Sequence, residues 1–243
     1  MDWHDRYKLQ AAWTSELRKY LFEACSLGSA TRVLEVGCGT GAVLEQLQTP
    51  AAMHGADIDP AALAACGRNA PAAIRVEADA LSLPYLPAAF DIVYCHYLLL
   101  WVADPVRAIR EMKRVARPGG HILALAEPDY NARTDEPASL RPLGRWQAEA
   151  LGRQGADPGF GAHLAEAFHQ AGLQIVETGT LRSPEKQQPS PAERDSEWHV
   201  LESDLAGTIA PEKMREMKEL EEAAWKDGRR RLDVPTYFAW GRA

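Results

Sequence analysis

The sequence predicts an α/β protein with a parallel sheet and helices on both of its faces. Two observations carry this expectation. From Arg32 onward, apolar runs of strand length alternate with helical patterns, an interval that implies parallel βαβ units. The first run, "RVLEV", leads straight into "GCGTG", a turn whose glycines allow positive φ and close backbone approach to a ligand.

The elements follow in order. Residues up to Ala24 read as one amphipathic helix, because Leu9, Trp13, Leu17, Tyr20, Leu21 and Ala24 recur at three- and four-residue spacing. Arg32–Val36 is expected as a buried strand and about Gly41 to Leu47 as the helix after it. Met53–Asp57 is a second short strand. Pro60 opens the next helix, where its missing N–H costs nothing. "AIRVEA" is a third strand and Phe90–Tyr97 a fourth. Asp104 and Pro105 provide an N-cap and a first helical residue for a helix through Ile109 and Met112 to Val115, which "RPGG" stops. "HILALA" is a fifth strand.

Further on, "ASLRPLGRWQAEALGRQ" and "HLAEAFHQAG" read as helices and "LQIVETGTL" as a sixth strand. A polar segment from Ser183 to Pro191 follows. Next come helical stretches ending in "APEKMREMKELEEAAWKDG", with Met214, Met217, Leu220 and Ala224 on one face, and "VPTYFAWGRA" closes the chain as a last strand. We expect a single domain over 1–243: an N-terminal helical segment (1–28), a core (29–183), a helical insertion (184–228) and a final strand (229–243). The Met stripe reads as ordinary packing.

A chain of 243 residues can bury a sizeable core without disulfides or metals. Its hydrophobic content of 46% and charged content of 25% are those of a globular protein. The net charge of −7 disfavours a nucleic-acid partner, which calls for a basic face. "RRR" at Arg229–Arg231 reads as a solvated face. Cys25, Cys38, Cys66 and Cys95 form no CxxC pair and stand at no zinc-ligand spacing with histidine. They read as reduced thiols in a cytoplasmic protein without a metal. "MDWHDRYKLQ" carries charges where a signal peptide needs an apolar core, and no apolar run approaches the roughly 20 residues of a membrane span. A homodimer is left open.

The glycine turn alone is ambiguous. Gly37, Gly39 and Ala42 satisfy the GxGxxG/A pattern of dinucleotide sites, and Asp57 at the end of the second strand could accept hydrogen bonds from ribose hydroxyls in any adenosine. An NAD(P)-dependent oxidoreductase is therefore the alternative reading. Two acids point elsewhere. Glu35, inside the first strand, suits a ligand ammonium and would repel a pyrophosphate. Asp79, after the third strand, can accept from an adenine amino group, with Ala80 and Leu81 framing the ring.

Taken together, "VLEVGCGTG", "GADID", "EADALSLP…FDIVY" and "RVARPGGHILAL" resemble the successive motifs of class I S-adenosylmethionine-dependent methyltransferases, over about residues 30–127. The resemblance implies a Rossmann-like, seven-stranded, mostly parallel sheet whose final, antiparallel strand inserts between the fifth and sixth. It also implies that S-adenosylmethionine is the cofactor, bound over the carboxyl ends of the strands. Carried over, Glu35, Gly37, Cys38 and Gly39 line the methionine part, Asp57 takes the ribose hydroxyls and Ile58 packs on the adenine. Asp79, Ala80 and Leu81 hold the adenine edge, and Cys95 and His96 lie near the transferable methyl. The N-terminal helix is expected as a lid, with Tyr7 and Trp13 facing a small-molecule acceptor beside Tyr97 and Tyr130.

If the acceptor is a hydroxyl or an ammonium, a base must remove its proton. His96 titrates near neutral pH when unperturbed and is the first candidate; Glu127 and Asp129 in "AEPDY" are the others. A neutral amine needs none. The implied activity is methyl transfer to an amine or hydroxyl on a small molecule. A non-catalytic partner protein of the same fold is a further alternative.

Overall fold

The computed structural model describes residues 3–182 and 189–243. Of the expected polar segment, residues 183–188 lie outside the described residues. The strands are β1 (Arg32–Val36), β2 (Ala52–Asp57), β3 (Ile74–Glu77), β4 (Phe90–Cys95), β5 (Ala116–Pro128), β6 (Thr134–Glu136), β7 (Gln174–Leu181), β8 (Arg231–Asp233) and β9 (Thr236–Arg242). Seven of them form one sheet in the order β3-β2-β1-β4-β5-β9-β7. β1 to β5 pair parallel, and β9 runs antiparallel between β5 and β7. The central strand is covered on both faces: Ile92, Val93, Tyr94 and Cys95 are all 0% exposed, as a parallel sheet between helical layers requires.

On one face lie α4 (Pro105–Val115) and α6 (Leu164–Gln170), whose Ile109, Met112 and Phe168 pack on Leu34, Val93 and Ile122. On the other, Leu21 and Phe22 of α2 (Ser15–Ala24) pack on Val33, Ile92, Tyr94 and Leu123. α3 (Pro60–Asn69) starts at Asp59, whose carboxylate accepts the Ala61 N–H at 2.8 Å. α5 (Arg141–Arg153), α7 (Pro191–Leu205) and α8 (Pro211–Lys226) form a third core around Leu143, Trp198, Leu201, Met214 and Met217. Met214, Met217 and Ala224 are packing, as expected, whereas Leu220 is 39% exposed and Glu221 takes its place on the buried face.

Four local expectations are corrected. The first helix is two, α1 (Trp3–Trp13) and α2, broken at Thr14. Its buried stripe is Arg6, Ala11, Thr14, Arg18, Leu21 and Phe22, whereas Trp13 and Tyr20 are 53% and 50% exposed. The buried face is chosen by polar contacts to the strand ends, which apolar periodicity does not register. The helix expected after the glycine turn is only a 3₁₀ turn, Leu44–Gln46; Leu47 is already extended and Pro50 lies three residues on. "RPGG" does stop the helix, but the fifth strand starts there and not at "HILALA". "RRR" is not wholly solvated: Arg230 is 1% exposed.

Arg230 explains the unexpected ribbon of β6 and β8. Its guanidinium donates to Asp135 and to Glu221, both at 2.7 Å. Arg133 donates to the other Asp135 oxygen at 2.9 Å and Trp198 to the other Glu221 oxygen at 2.5 Å. Two buried cations thus meet two carboxylates, and every charge has a partner, as burial demands. The network ties α8 and α7 to the chain leaving β5.

Candidate active site

The carboxyl ends of β1, β2 and β3 carry the glycine turn, Asp57 and Asp79. The N–H groups of Gly37 and Cys38 both donate to Ala56 O, at 2.8 and 3.1 Å, which pins the turn to β2. Gly39 N–H donates to Asp57 at 2.7 Å. Gly37, Gly39 and Gly41 all have positive φ. At Gly37 a side chain would also strike Leu98, 2.7 Å from the Cβ position. Nothing lies within 4 Å of a Cβ at Gly39, so this loop presents bare backbone to open space. Ile58, next to Asp57, is 67% exposed. Asp79 is exposed and folds its carboxylate onto the Leu81 N–H at 2.8 Å; Ala80 is buried and Leu81 packs on the core.

Glu35 is 2% exposed and accepts from the Tyr94 hydroxyl at 3.1 Å. Burial holds its carboxyl well above the usual range, while Tyr94 and the Arg18 guanidinium pull it back. A cationic ligand group beside it would relieve that cost. The open glycine backbone, the exposed apolar platform at Ile58 and an acid at each of three strand ends fit S-adenosylmethionine. Its amino-acid end would lie toward Glu35 and the glycine turn, its ribose toward Asp57 and its base between Ile58 and Asp79.

The N-terminal helices lie against this region. His4 bonds Thr40 at 2.9 Å and Glu45 at 3.3 Å. The Tyr7 phenol is raised above its usual range by burial and then by the nearby Asp57 and Asp59 carboxylates. At the break between α1 and α2, the Thr14 hydroxyl lies 3.0 Å from His96 Nε2. Arg18 donates to Thr14 at 2.6 Å, to Gln46 at 2.5 Å and to the Ala11 carbonyl. Arg6, 6% exposed, donates to Glu197 of α7 at 2.9 Å and stacks over Trp13 at 5.3 Å.

Tyr97, left-handed at φ 55, has its phenol pushed up to about 12 by burial. The Tyr130 phenol is also raised, by burial first and then by Tyr97 and Glu197. The structure therefore gathers Tyr97 and Tyr130 near Arg6 and Glu197. Trp13 lies at the rim. Sequence reading missed Thr14, Arg18, Arg6 and Glu197. The signal was present: Ala11, Thr14, Arg18 and Leu21 fall at helical spacing, with an arginine on the buried side.

Three expected positions need correction. Cys95 is fully buried, with its sulfur 3.9 Å from Glu127; it faces the core and not the donor cleft. Glu127 is 0% exposed. Its carboxylate accepts the backbone N–H groups of Leu98, Leu99 and Leu100 at 3.1, 3.1 and 3.3 Å, so it clamps the chain after β4. Burial pushes it up to about 7 against those three bonds. Asp129, 7% exposed, caps a turn through the Ala132 N–H at 3.0 Å. His96 faces the break between α1 and α2, and burial and then Arg18 push its imidazole down to about 3.

Fold, motif order and the acids at the strand ends define a class: the core of this chain is a methyltransferase domain of the class I S-adenosylmethionine-dependent kind. Residues 34–124 match the methyltransferase domain family. The malonyl-[acyl-carrier protein] O-methyltransferase of Halorhodospira halophila is 37% identical over 98 residues, covering 38% of this chain and 33% of that protein. The demethylmenaquinone methyltransferase of Thermus thermophilus is 38% identical over 104 residues, covering 40% and 47%. The match thus spans a third to a half of these relatives. In structure, the chain is similar to the geranyl diphosphate C-methyltransferase of Streptomyces coelicolor A3(2), with a TM-score of 0.57, 13% identity and coverage of 97% and 80%. It is also similar to the [4+2]-cyclase SpnF, with a TM-score of 0.59, 22% identity and coverage of 93% and 79%. At these identities the structural likenesses speak for the fold alone. Among the described residues, no helix is long and apolar enough to cross a membrane.

Proposed function

We propose that this chain transfers the methyl group of S-adenosylmethionine to a small-molecule acceptor, with an amine in its neutral form as the nucleophile. The observation that carries the donor half is the placement of Glu35, Asp57 and Asp79 at the ends of three adjacent parallel strands around an open glycine backbone. The sulfonium supplies an electrophilic methyl with a neutral thioether as leaving group.

The residues of this chain orient and enclose. Glu35 and the glycine N–H groups hold the amino-acid end; Asp57 holds the ribose. Tyr7, Tyr97 and Tyr130 shape the acceptor space, with Trp13 at its rim. The preference for a neutral amine rests on what the base candidates do. His96 commits Nε2 to Thr14 and is weakly basic, Glu127 holds three backbone N–H groups, and Asp129 caps a turn. Alignment then supplies the catalysis, and in-line positioning alone can be worth ~7–11 kcal/mol.

The test pairs calorimetry with turnover. S-adenosylhomocysteine should bind and NADH should not. Labelled S-adenosylmethionine offered to matched amine and alcohol panels should mark amines. No heat with S-adenosylhomocysteine would end the donor assignment, and label appearing only on hydroxyls would end the amine assignment.

A further inference from the structure

We propose that Glu127 is a positioning residue for donor binding: its buried carboxylate fixes the chain after β4, and that chain fixes the glycine turn. The consequence for S-adenosylmethionine rests on the function proposed above; the hold on the turn does not.

The chain after β4 has little to hold it locally. Leu98 starts the 3₁₀ turn Leu99–Trp101 with no side-chain cap of its own. The N–H groups of Leu98, Leu99 and Leu100 open that turn, where helical geometry leaves donors without partners. Glu127 comes from the next strand, β5, and accepts all three, at 3.1, 3.1 and 3.3 Å. One residue earlier, Ala126 O accepts the Tyr97 N–H at 2.9 Å. The end of β5 thus takes the N–H groups of residues 97 to 100 in succession. Tyr97 yields to that arrangement with φ 55, a conformation that a non-glycine residue keeps only where its surroundings dictate it.

Burial makes the carboxylate hard to replace. Glu127, Leu99 and Leu100 are all buried, so water is a poor substitute partner for the N–H groups. The chain at Gly161 passes so close that a Cβ there would collide with the Glu127 carbonyl oxygen. A leucine or methionine at 127 would fill a similar volume without burying a polar group, but it would leave three N–H groups unpaired.

Two side chains carry the hold outward. Leu98 lies on the glycine turn: its three outer carbons stand 2.7, 3.2 and 3.2 Å from where a Gly37 Cβ would be. Gly37 begins the run whose N–H groups donate to Ala56 O and to Asp57. Tyr97 packs edge-on against His96, with ring centroids 4.8 Å apart, and His96 meets Thr14 at 3.0 Å. One carboxylate thereby sets the neighbour of the donor turn and the neighbour of the N-terminal helices.

Amide hydrogen exchange read by mass spectrometry, and calorimetry with S-adenosylhomocysteine, are run on the full chain, on Glu127→Gln and on Leu98→Ala. The amide keeps the shape of Glu127 but turns one accepting oxygen into a donor. Glu127→Gln should quicken exchange at Leu98–Leu100 and at Gly37–Gly39 while the rest of β1 to β5 stays protected, and weaken S-adenosylhomocysteine about tenfold. Leu98→Ala should leave the Leu99 and Leu100 amides protected and reproduce both effects at the turn. The double variant should bind no worse than Glu127→Gln alone, because the two act along one path. A residue that only stabilises the core would lower the urea midpoint and leave the affinity of the folded chain as it is. Affinity or exchange at Gly37–Gly39 left unchanged by either variant overturns the proposal, as do additive losses in the double variant. If Glu127→Gln does not fold, Leu98→Ala decides alone. If the unaltered chain binds no S-adenosylhomocysteine, the donor assignment fails, and exchange at Gly37–Gly39 decides the hold on the turn.

Discussion

The Thr14 hydroxyl stands 3.0 Å from Nε2 of His96, and this contact joins the break between α1 and α2 to the end of β4. Arg18 reaches the same hydroxyl at 2.6 Å and the Gln46 side chain at 2.5 Å. The break in the N-terminal helices is thus held to two loops of the candidate donor site.

Thr14→Val keeps the shape of that residue and removes the hydroxyl. Loss of one buried hydrogen-bonding group costs about 1–3 kcal/mol. We expect a lower urea midpoint and faster dissociation of S-adenosylhomocysteine in stopped flow. A dissociation rate equal to that of the unaltered chain would show that this contact does not hold the donor in place.

Asp57→Ala removes the acceptor of the Gly39 N–H and the proposed partner of the ribose. Hydrogen bonds to charged groups contribute ~1.5–3 kcal/mol, so affinity for S-adenosylhomocysteine should fall about 10- to 100-fold. Calorimetry reads this directly, and a change below threefold would remove Asp57 from the donor site.

Glu127 makes stability depend on pH. Its folded value, about 7, lies above the ordinary 4.5, so the folded chain holds its proton more tightly than the unfolded one. The stabilisation is complete below the unfolded value and is lost as pH rises through about 7. Over that window the contribution is on the order of 3 kcal/mol. Urea denaturation of Glu127→Gln from pH 4.5 to 8 should show a shallower decline than the unaltered chain. Parallel curves would refute the assignment.

Arg230→Met leaves Asp135 and Glu221 buried with one cation fewer. Breaking a buried pair typically costs ~3–5 kcal/mol. We expect a marked fall in the denaturation midpoint and early proteolysis within α8. A Glu221→Gln change added to Arg230→Met should recover part of the loss; a further drop of full size would mean the two side chains do not act as a pair.

The donor half was legible in the sequence because its requirements are local. A strand ending in Glu35 and Val36 must turn through glycines to present backbone, and an acid must follow each of the next two strands. The contacts outside it were not, because they join distant parts of the chain. Arg6 of α1 meets Glu197 of α7, and Arg230 reaches Asp135 from a stretch that reads as surface charge. Apolar periodicity also misled at Trp13 and Tyr20, since the buried face of those helices is chosen by Thr14 and Arg18. The acids in "AEPDY" looked free because a one-dimensional reading does not show backbone N–H groups converging on Glu127.

Among the described residues, β7 is held in the sheet by β9 alone, although β7 precedes it by two long helices. During synthesis, β1 to β5 can pair as they leave the ribosome, while β7 must wait as an unpaired ribbon. A chaperone would find its hold there, in the interval before the last strand slides into the gap.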